Sequence, residues 1–247
     1  APFFYLVHML AHFFSSFWSY LLLAAYVICY SAGLFSWGST FPEFEQETLQ
    51  KAIGQGWLIA LVYLGLQTKF YLNANWLHKL HFLAPVALYL ETYQSALPFL
   101  WFWSLLLLQF ILIVTYEEWI VWRRIPVLKN LLIAAMWFIQ LNLIPGLAGH
   151  ASLIFAPFFI FYLALSIQVD IEDIEEDSGK IKTLASLLGK ETAGYLVIFL
   201  LTLFAFYIGL PWVWIMLALI VLQREFPLPK GSYDSLLFLL GLYFLLR

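Results

Sequence analysis

The chain has 247 residues, of which 64% are hydrophobic, 20% aromatic and only 11% charged, and its formal net charge at pH 7 is −3. A soluble domain is usually about 45–50% apolar and about 25% charged, so this chain cannot cover itself with polar surface. The composition therefore predicts an integral membrane protein and excludes an intrinsically disordered chain, a nucleic-acid-binding module and a disulfide-stapled secreted fold. Because the sequence does not begin with Met, we expect a processed or truncated N-terminus.

The apolar runs predict an all-α, polytopic membrane fold. A membrane helix needs about 20 mostly apolar residues, and polar clusters and turn residues divide the chain into nine candidate runs, of which the last two are short for a full crossing. These divisions predict nine helices in a single domain over residues 1–247. The helices cover roughly 17–37, 53–72, 80–97, 99–116, 128–147, 152–169, 193–210, 212–223 and 235–246.

The basic residues predict the orientation of these helices, because Lys and Arg collect in the cytoplasmic loops of membrane proteins. Only Lys51 and Arg247 fall on one side of the predicted bundle. The loops after helices 2, 4, 6 and 8 hold all the others: Lys69, Lys79, Arg123, Arg124, Lys129, Lys180, Lys182, Lys190, Arg224 and Lys230. We therefore expect a multi-pass protein in which the N-terminus and the loops after the even-numbered helices face the cytoplasm.

The loop after the sixth predicted helix contains an acidic cluster, with six of the 15 carboxylates between Asp170 and Asp177. If the helix continues, a step of about 100° per residue places Asp170, Asp173 and Asp177 on one face. Converging carboxylates suit Mg²⁺, which binds one or two of them together with substrate phosphates. The alternative is a solvated acidic loop, and the spacing alone does not decide between the two.

Two segments of the chain resemble the UbiA superfamily of intramembrane prenyltransferases. The order Asp-x-x-Asp-x-x-x-Asp over 170–177, followed by Gly179, Thr183-Leu-Ala and Leu188-Gly189, closely resembles the second aspartate-rich motif of that family. The stretch Arg124-Ile-Pro-Val-Leu-Lys-Asn130 resembles its Arg-x-Pro-x-x-x-Asn segment. The family also has nine helices with motif loops after the second and sixth, which agrees with the helices and orientation predicted above.

The resemblance implies a chemistry and a set of site residues. Mg²⁺ held by Asp170, Asp173 and Asp177 would bind the diphosphate of a prenyl donor, and the allylic cation would alkylate a lipophilic acceptor, often an aromatic ring. Basic and polar residues on the same side of the membrane would bind the diphosphate, although the basic ones are equally explained as topology signals. These candidates are Arg123, Arg124, Lys129, Asn130, Lys180, Lys182 and Lys69.

The sequence departs from the family where the first aspartate-rich motif is expected, since residues 66–79 contain no carboxylate. One hypothesis keeps a single metal set on the second motif, with Lys69 or Lys79 supplying part of the missing positive charge. The other is a non-catalytic UbiA-like protein that binds a lipid or a partner. We favour the first, because a chain without phosphate chemistry has less reason to place three aspartates on one face.

Three of the polar residues inside the predicted helices bear on function or on helix packing. Glu91 lies near the middle of the third, where a carboxylate is costly and indicates either a protonated, hydrogen-bonded group or a role in positioning or deprotonating the acceptor. Gln140 and Asn142, in the fifth, are better explained as hydrogen-bond partners between helices than as ligands.

Overall fold

The structure is a computed structural model, and every regular element in the part of the chain that it describes is a helix. The described residues are 22, 25–34, 52–53, 100–101, 103–105, 107–108, 111, 125–147, 156–174, 182–209 and 234–246. The predicted all-α class is confirmed over these residues. The predicted number of nine helices depends on segments outside them and stays a prediction.

Six helices have described bounds. They are α1 (Ala25–Leu34), α2 (Pro126–Leu147), α3 (Pro157–Glu172), α4 (Leu184–Leu188), α5 (Lys190–Ile208) and α6 (Asp234–Leu246). At 22 and 19 residues, α2 and α5 are long and apolar enough to cross a membrane. They correspond to the predicted helices at 128–147 and 193–210, and α6 corresponds to the one at 235–246.

The helix α2 begins at a proline and contains a wider π-helical turn before a second proline. Pro126 occupies the first turn, where its missing N–H leaves no hydrogen bond unmade. Residues Ile139–Leu143 form the π-helical turn, and the Ile144 N–H bonds to the Ile139 carbonyl. Pro145 follows after Ile144 and cannot donate to the helix, so the wider turn lies where the regular pattern of hydrogen bonds is interrupted.

Aromatic side chains join α3 to α5. The Phe161 and Phe204 rings stack with their centroids 4.8 Å apart, and Phe158 lies 5.8 Å from Phe204. All three side chains are fully buried, so they form the core between these helices. The other side of α5 exposes large apolar groups such as Phe199 and Phe206, as a face in contact with hydrocarbon would.

The motif residues Thr183 and Gly189 have local structural roles at the two ends of α4. The Thr183 hydroxyl accepts from the Ser186 N–H at 3.1 Å, and the Ser186 hydroxyl accepts from the Thr183 N–H at 2.8 Å. This capping box satisfies backbone donors that would otherwise have no partner at the start of the helix. Gly189 has φ = 79°, a conformation that other residues rarely adopt, and it separates α4 from α5.

Backbone contacts divide the chain into two compact units, one formed by Ala1–Phe99 with Asp234–Arg247 and the other by Leu100–Tyr233. In the first unit, α1 and α6 approach closely at Gly33 and Gly241. A Cβ atom on Gly241 would lie 2.5 Å from the Cys29 carbonyl oxygen, and one on Gly33 would overlap the Gly241 carbonyl. Only glycine allows this approach, which is a common device of membrane helices. The single domain over 1–247 stays a prediction.

Candidate functional site

The candidate site begins with two polar residues in the first turns of α2. Lys129 and Asn130 are the fourth and fifth residues of this helix, and both are buried, with 6% and 0% of their surface exposed. Charged residues are almost never buried without a partner. The burial of Lys129 therefore requires an anion close by in the folded protein.

Asp170, in the last turn of α3, is that anion. Its carboxylate is only 2% exposed, and its Oδ1 accepts a hydrogen bond from Lys129 Nζ in a buried ion pair. Its Oδ2 accepts from Asn130 Nδ2 at 3.0 Å. Both oxygens of the carboxylate thus bind side chains of α2, so one aspartate joins the two helices.

Ser166 extends this cluster by one helical turn. Asn130 Nδ2 also donates to Ser166 Oγ at 3.1 Å, and Ser166 Oγ lies 3.2 Å from the Leu163 carbonyl oxygen of its own helix. Ser166 is four residues before Asp170 and therefore lies on the same face of α3. Ser166 is not among the site residues that the sequence predicts, although its spacing from Asp170 is a signal that identifies it.

The amide oxygen of Asn130 is buried, and no hydrogen-bond donor reaches it from the residues that the structure describes. The orientation of the amide follows from its neighbours, since an ionised carboxylate only accepts hydrogen bonds and the NH₂ group must face Asp170. A buried acceptor without a donor costs about 1–3 kcal/mol. The cluster therefore contains one oxygen atom that could bind a hydrogen-bond donor or a cation.

The other predicted site residues lie nearer the surface or outside the described residues. Asp173 ends α3, is partly buried, and its N–H bonds to the Val169 carbonyl at 3.0 Å. Lys182 is exposed just before α4. The remaining predicted site residues lie outside the described residues: Arg123, Arg124, Asp177, Lys180 and Lys69. Glu91 also lies outside them.

The described residues contain no group of three His, Cys, Asp or Glu side chains placed to hold a metal ion. Asp170 and Asp173 are one turn apart, and the third predicted ligand, Asp177, is not among the residues described. The atoms in the cluster that could bind a metal ion are carboxylate oxygens and the Asn130 amide oxygen. These are the hard oxygen ligands that Mg²⁺ takes, so the residues fit that ion in their chemistry.

A second polar contact joins α2 and α3 in the same unit. The Tyr162 hydroxyl of α3 donates to Asn142 Oδ1 in the π-helical turn of α2 at 2.6 Å. The ring of Trp137 stacks on Tyr162 with a centroid distance of 6.2 Å. The predicted interhelical role of Asn142 is confirmed, and Gln140 is buried in the same turn.

The two segments that resemble UbiA motifs are thus in contact. One contributes Lys129 and Asn130 and the other Asp170, although 41 residues separate Lys129 from Asp170. In comparisons with known proteins, no family model, no curated protein and no solved structure matches the chain.

Proposed function

We propose that the chain is a membrane-embedded prenyltransferase of the UbiA type, which uses Mg²⁺ to transfer an isoprenyl group from a prenyl diphosphate to an aromatic or lipid acceptor. In this proposal the protein has nine membrane helices, and both motif loops face the cytoplasm. The observation that carries the proposal is the contact of Lys129 and Asn130 with Asp170, which joins the two motif segments at one end of α2 and α3.

Oxygen atoms at this end of the bundle would hold the metal. The proposed ligands are Asp170, Asp173 and Asp177, and the Asn130 amide oxygen lies in the same cluster. When bound, Mg²⁺ supplies positive charge that stabilises the diphosphate as a leaving group. Asn130 fixes the orientation of the Asp170 carboxylate through its Nδ2 atom. The carboxylate therefore loses less conformational freedom when a ligand binds.

Positive side chains around the motif would bind the diphosphate. Lys182 is exposed and can reach an anion in solvent. Lysine binds phosphate as a point charge with three donors, which suits the several oxygens of a diphosphate. In the proposal, Arg123, Arg124, Lys180 and Lys69 add to this charge. The barrier of the reaction is charge separation, so fixed charges are the main contribution expected from the protein.

The test measures transfer of a radiolabelled prenyl group by the purified full-length chain in detergent. Farnesyl and geranylgeranyl diphosphate are incubated with a membrane lipid extract, with and without Mg²⁺. We expect a lipid-soluble product that needs Mg²⁺ and that Asp173→Asn reduces by about 100-fold or more, as expected when a charge-stabilising group is removed. Glu191→Gln is the matched control, since Glu191 is an exposed carboxylate at the start of α5.

A non-catalytic UbiA-like protein that binds a lipid or a partner is the second candidate. The observation in its favour is that Lys129 and Asn130 already satisfy both oxygens of Asp170, as in a purely structural ion pair. The two candidates differ in their metal dependence. Prenyl diphosphate binding that is unchanged by Mg²⁺ and by Asp173→Asn, with no transfer product from the wild type, would refute the enzyme and favour the binding protein.

A further inference from the structure

The short helix α4 exposes two large apolar side chains. Leu187 and Leu188 are 57% and 40% exposed. Single exposed apolar residues are common on protein surfaces and need no explanation, but these two are adjacent. Ala185, the smallest residue of α4, is fully buried. At about 100° per residue, Leu187 lies about 200° around the helix from Ala185, so a large side chain occupies the outer face.

This order is the reverse of the one that contact with water favours. A surface helix of a soluble protein turns its large apolar groups inward and its polar groups outward. In α4 the small residue is inside, and the hydroxyl of its one polar residue, Ser186, is bonded to the Thr183 backbone. The outer face of α4 therefore has the composition expected beside lipid.

The adjoining helix α5 indicates the depth of α4 in a membrane. Its 19 residues begin at Lys190. At a rise of about 1.5 Å per residue such a helix is about 28 Å long, close to the hydrocarbon thickness of about 30 Å. A crossing therefore uses the whole helix and leaves Lys190 at the membrane boundary. Gly189 alone separates α4 from α5, so α4 lies at the same boundary.

The exposed leucines continue the apolar outer face of α5. Tyr195, Phe199 and Phe206 are all more than half exposed, and their spacing of four and seven residues places them on one side of the helix. Tyr195, the nearest of them to α4, is of a residue type that is enriched at membrane boundaries. In the same unit, α4 contacts α2, α3 and α5, which hold it in place.

The charges near α4 do not favour attraction to an anionic surface. Lys182 and Lys190 are exposed on either side of the helix, and their long side chains can reach lipid phosphate groups. From Asp170 to Glu191, however, the sequence has seven acidic and only three basic residues. The burial of apolar surface is therefore the main contribution expected, with little dependence on the charge of the lipid.

We propose that α4 is an interfacial anchor whose partner is the phospholipid bilayer. Leu187 and Leu188 enter the boundary between headgroups and acyl chains, as the apolar faces of interfacial helices do to a depth of about 5–10 Å. Because α4 also contacts α2 and α3, the anchor ties these two helices to the membrane surface. The inference rests on the membrane crossing of α5 in the proposed function, and not on the transfer chemistry.

The test places a fluorescent label at each leucine of the full-length chain in phosphatidylcholine vesicles. Cys29 is the only cysteine, so Leu187→Cys and Leu188→Cys are made in a Cys29→Ala background and labelled with a nitrobenzoxadiazole dye. Phe199→Cys in the same background is the matched reference, since Phe199 is exposed in the middle of α5. Quenching is measured with iodide in the water and with lipids that carry a nitroxide near the headgroup or deep in the acyl chain.

We expect both leucine sites to be quenched more strongly by the shallow nitroxide than by the deep one. They should be protected from iodide, and their emission should be shifted to the blue of the free dye in water. The Phe199→Cys site should be quenched more strongly by the deep nitroxide. Addition of phosphatidylglycerol should leave the quenching at the leucine sites unchanged.

Iodide quenching without lipid quenching at either leucine would place α4 in water and overturn the inference. Protection from all three quenchers would mean that protein covers the leucines, and insertion only with phosphatidylglycerol would mean that charge drives it; both contradict the anchor. Stronger quenching by the deep nitroxide contradicts the boundary depth. If Phe199→Cys is quenched by neither lipid, the proposed membrane crossing of α5 fails, whereas a reference that behaves as expected beside leucines in water refutes the anchor alone.

Discussion

The buried ion pair between Lys129 and Asp170 predicts a specific pattern of stability changes. Removing one partner of a buried pair typically costs about 3–5 kcal/mol, because the other charge is left without compensation. Both residues are almost fully buried, so solvent cannot replace the lost partner. We expect Lys129→Met and Asp170→Asn each to lower the free energy of unfolding by about 3–5 kcal/mol.

The double variant should be more stable than either single variant. Met and Asn at these positions carry no charge, and replacing a whole buried pair by neutral groups is often nearly neutral in stability. In Asp170→Asn, the Asn130 amide can still donate to the side-chain oxygen at position 170. The substitution therefore retains the hydrogen bond that is 3.0 Å long in the wild type. We expect the double variant to lie within about 1–2 kcal/mol of the wild type.

The assay is equilibrium unfolding of the detergent-solubilised full-length chain by a denaturing detergent, followed by helical circular dichroism. Lys182→Met is the matched control, because Lys182 is exposed and its loss should change the unfolding free energy by about 0.5 kcal/mol or less. The stability losses caused by substitutions at independent sites add, whereas those at residues in contact differ from the sum by an interaction energy. A double variant whose destabilisation equals the sum of the two single losses would refute the ion pair as an energetic unit.

Three further predictions use the same unfolding measurement. Gly241→Ala should destabilise the protein by about 1–3 kcal/mol, because its Cβ would meet backbone 2.5 Å away. Gly194→Ala, with nothing within 4 Å of its Cβ, should stabilise the protein by about 0.5–1 kcal/mol through the better helix propensity of alanine. Equal effects of the two substitutions would contradict the close approach of α1 and α6. Tyr162→Phe should cost about 1 kcal/mol, since it removes the 2.6 Å hydrogen bond to Asn142, and an unchanged stability would count against that bond. Thr183→Ala should cost about 1 kcal/mol through the lost capping box, which Thr183→Ser should largely restore; a serine variant no better than alanine would disprove the capping role.

Hydropathy along the sequence was sufficient to predict α2, α5 and α6, whereas the short helix α4 was not predicted. The predicted helix at 235–246 begins one residue from α6, and those at 128–147 and 193–210 begin within about three residues of α2 and α5. Such agreement is expected because an apolar run of membrane length has few conformations other than a helix. The acidic cluster made Asp170 a candidate, whereas Lys129 and Asn130 became candidates through the resemblance of Arg124-Ile-Pro-Val-Leu-Lys-Asn130 to the Arg-x-Pro-x-x-x-Asn segment of the UbiA superfamily.

The roles of those candidates depended on which helices pack together. The spacing of Asp170 and Asp173 predicts that they share a helix face, although α3 ends at Glu172, and it carries no information about what lies opposite that face. Folding places α2 there, and a lysine expected to bind a ligand becomes the internal partner of an aspartate expected to bind a metal. The physical reason is that burial forbids an isolated charge, so the two residues that reach the same buried place must compensate each other. The sequence by itself determined which residues carry the charge, and only the tertiary contact decided that Lys129 and Asp170 neutralise each other.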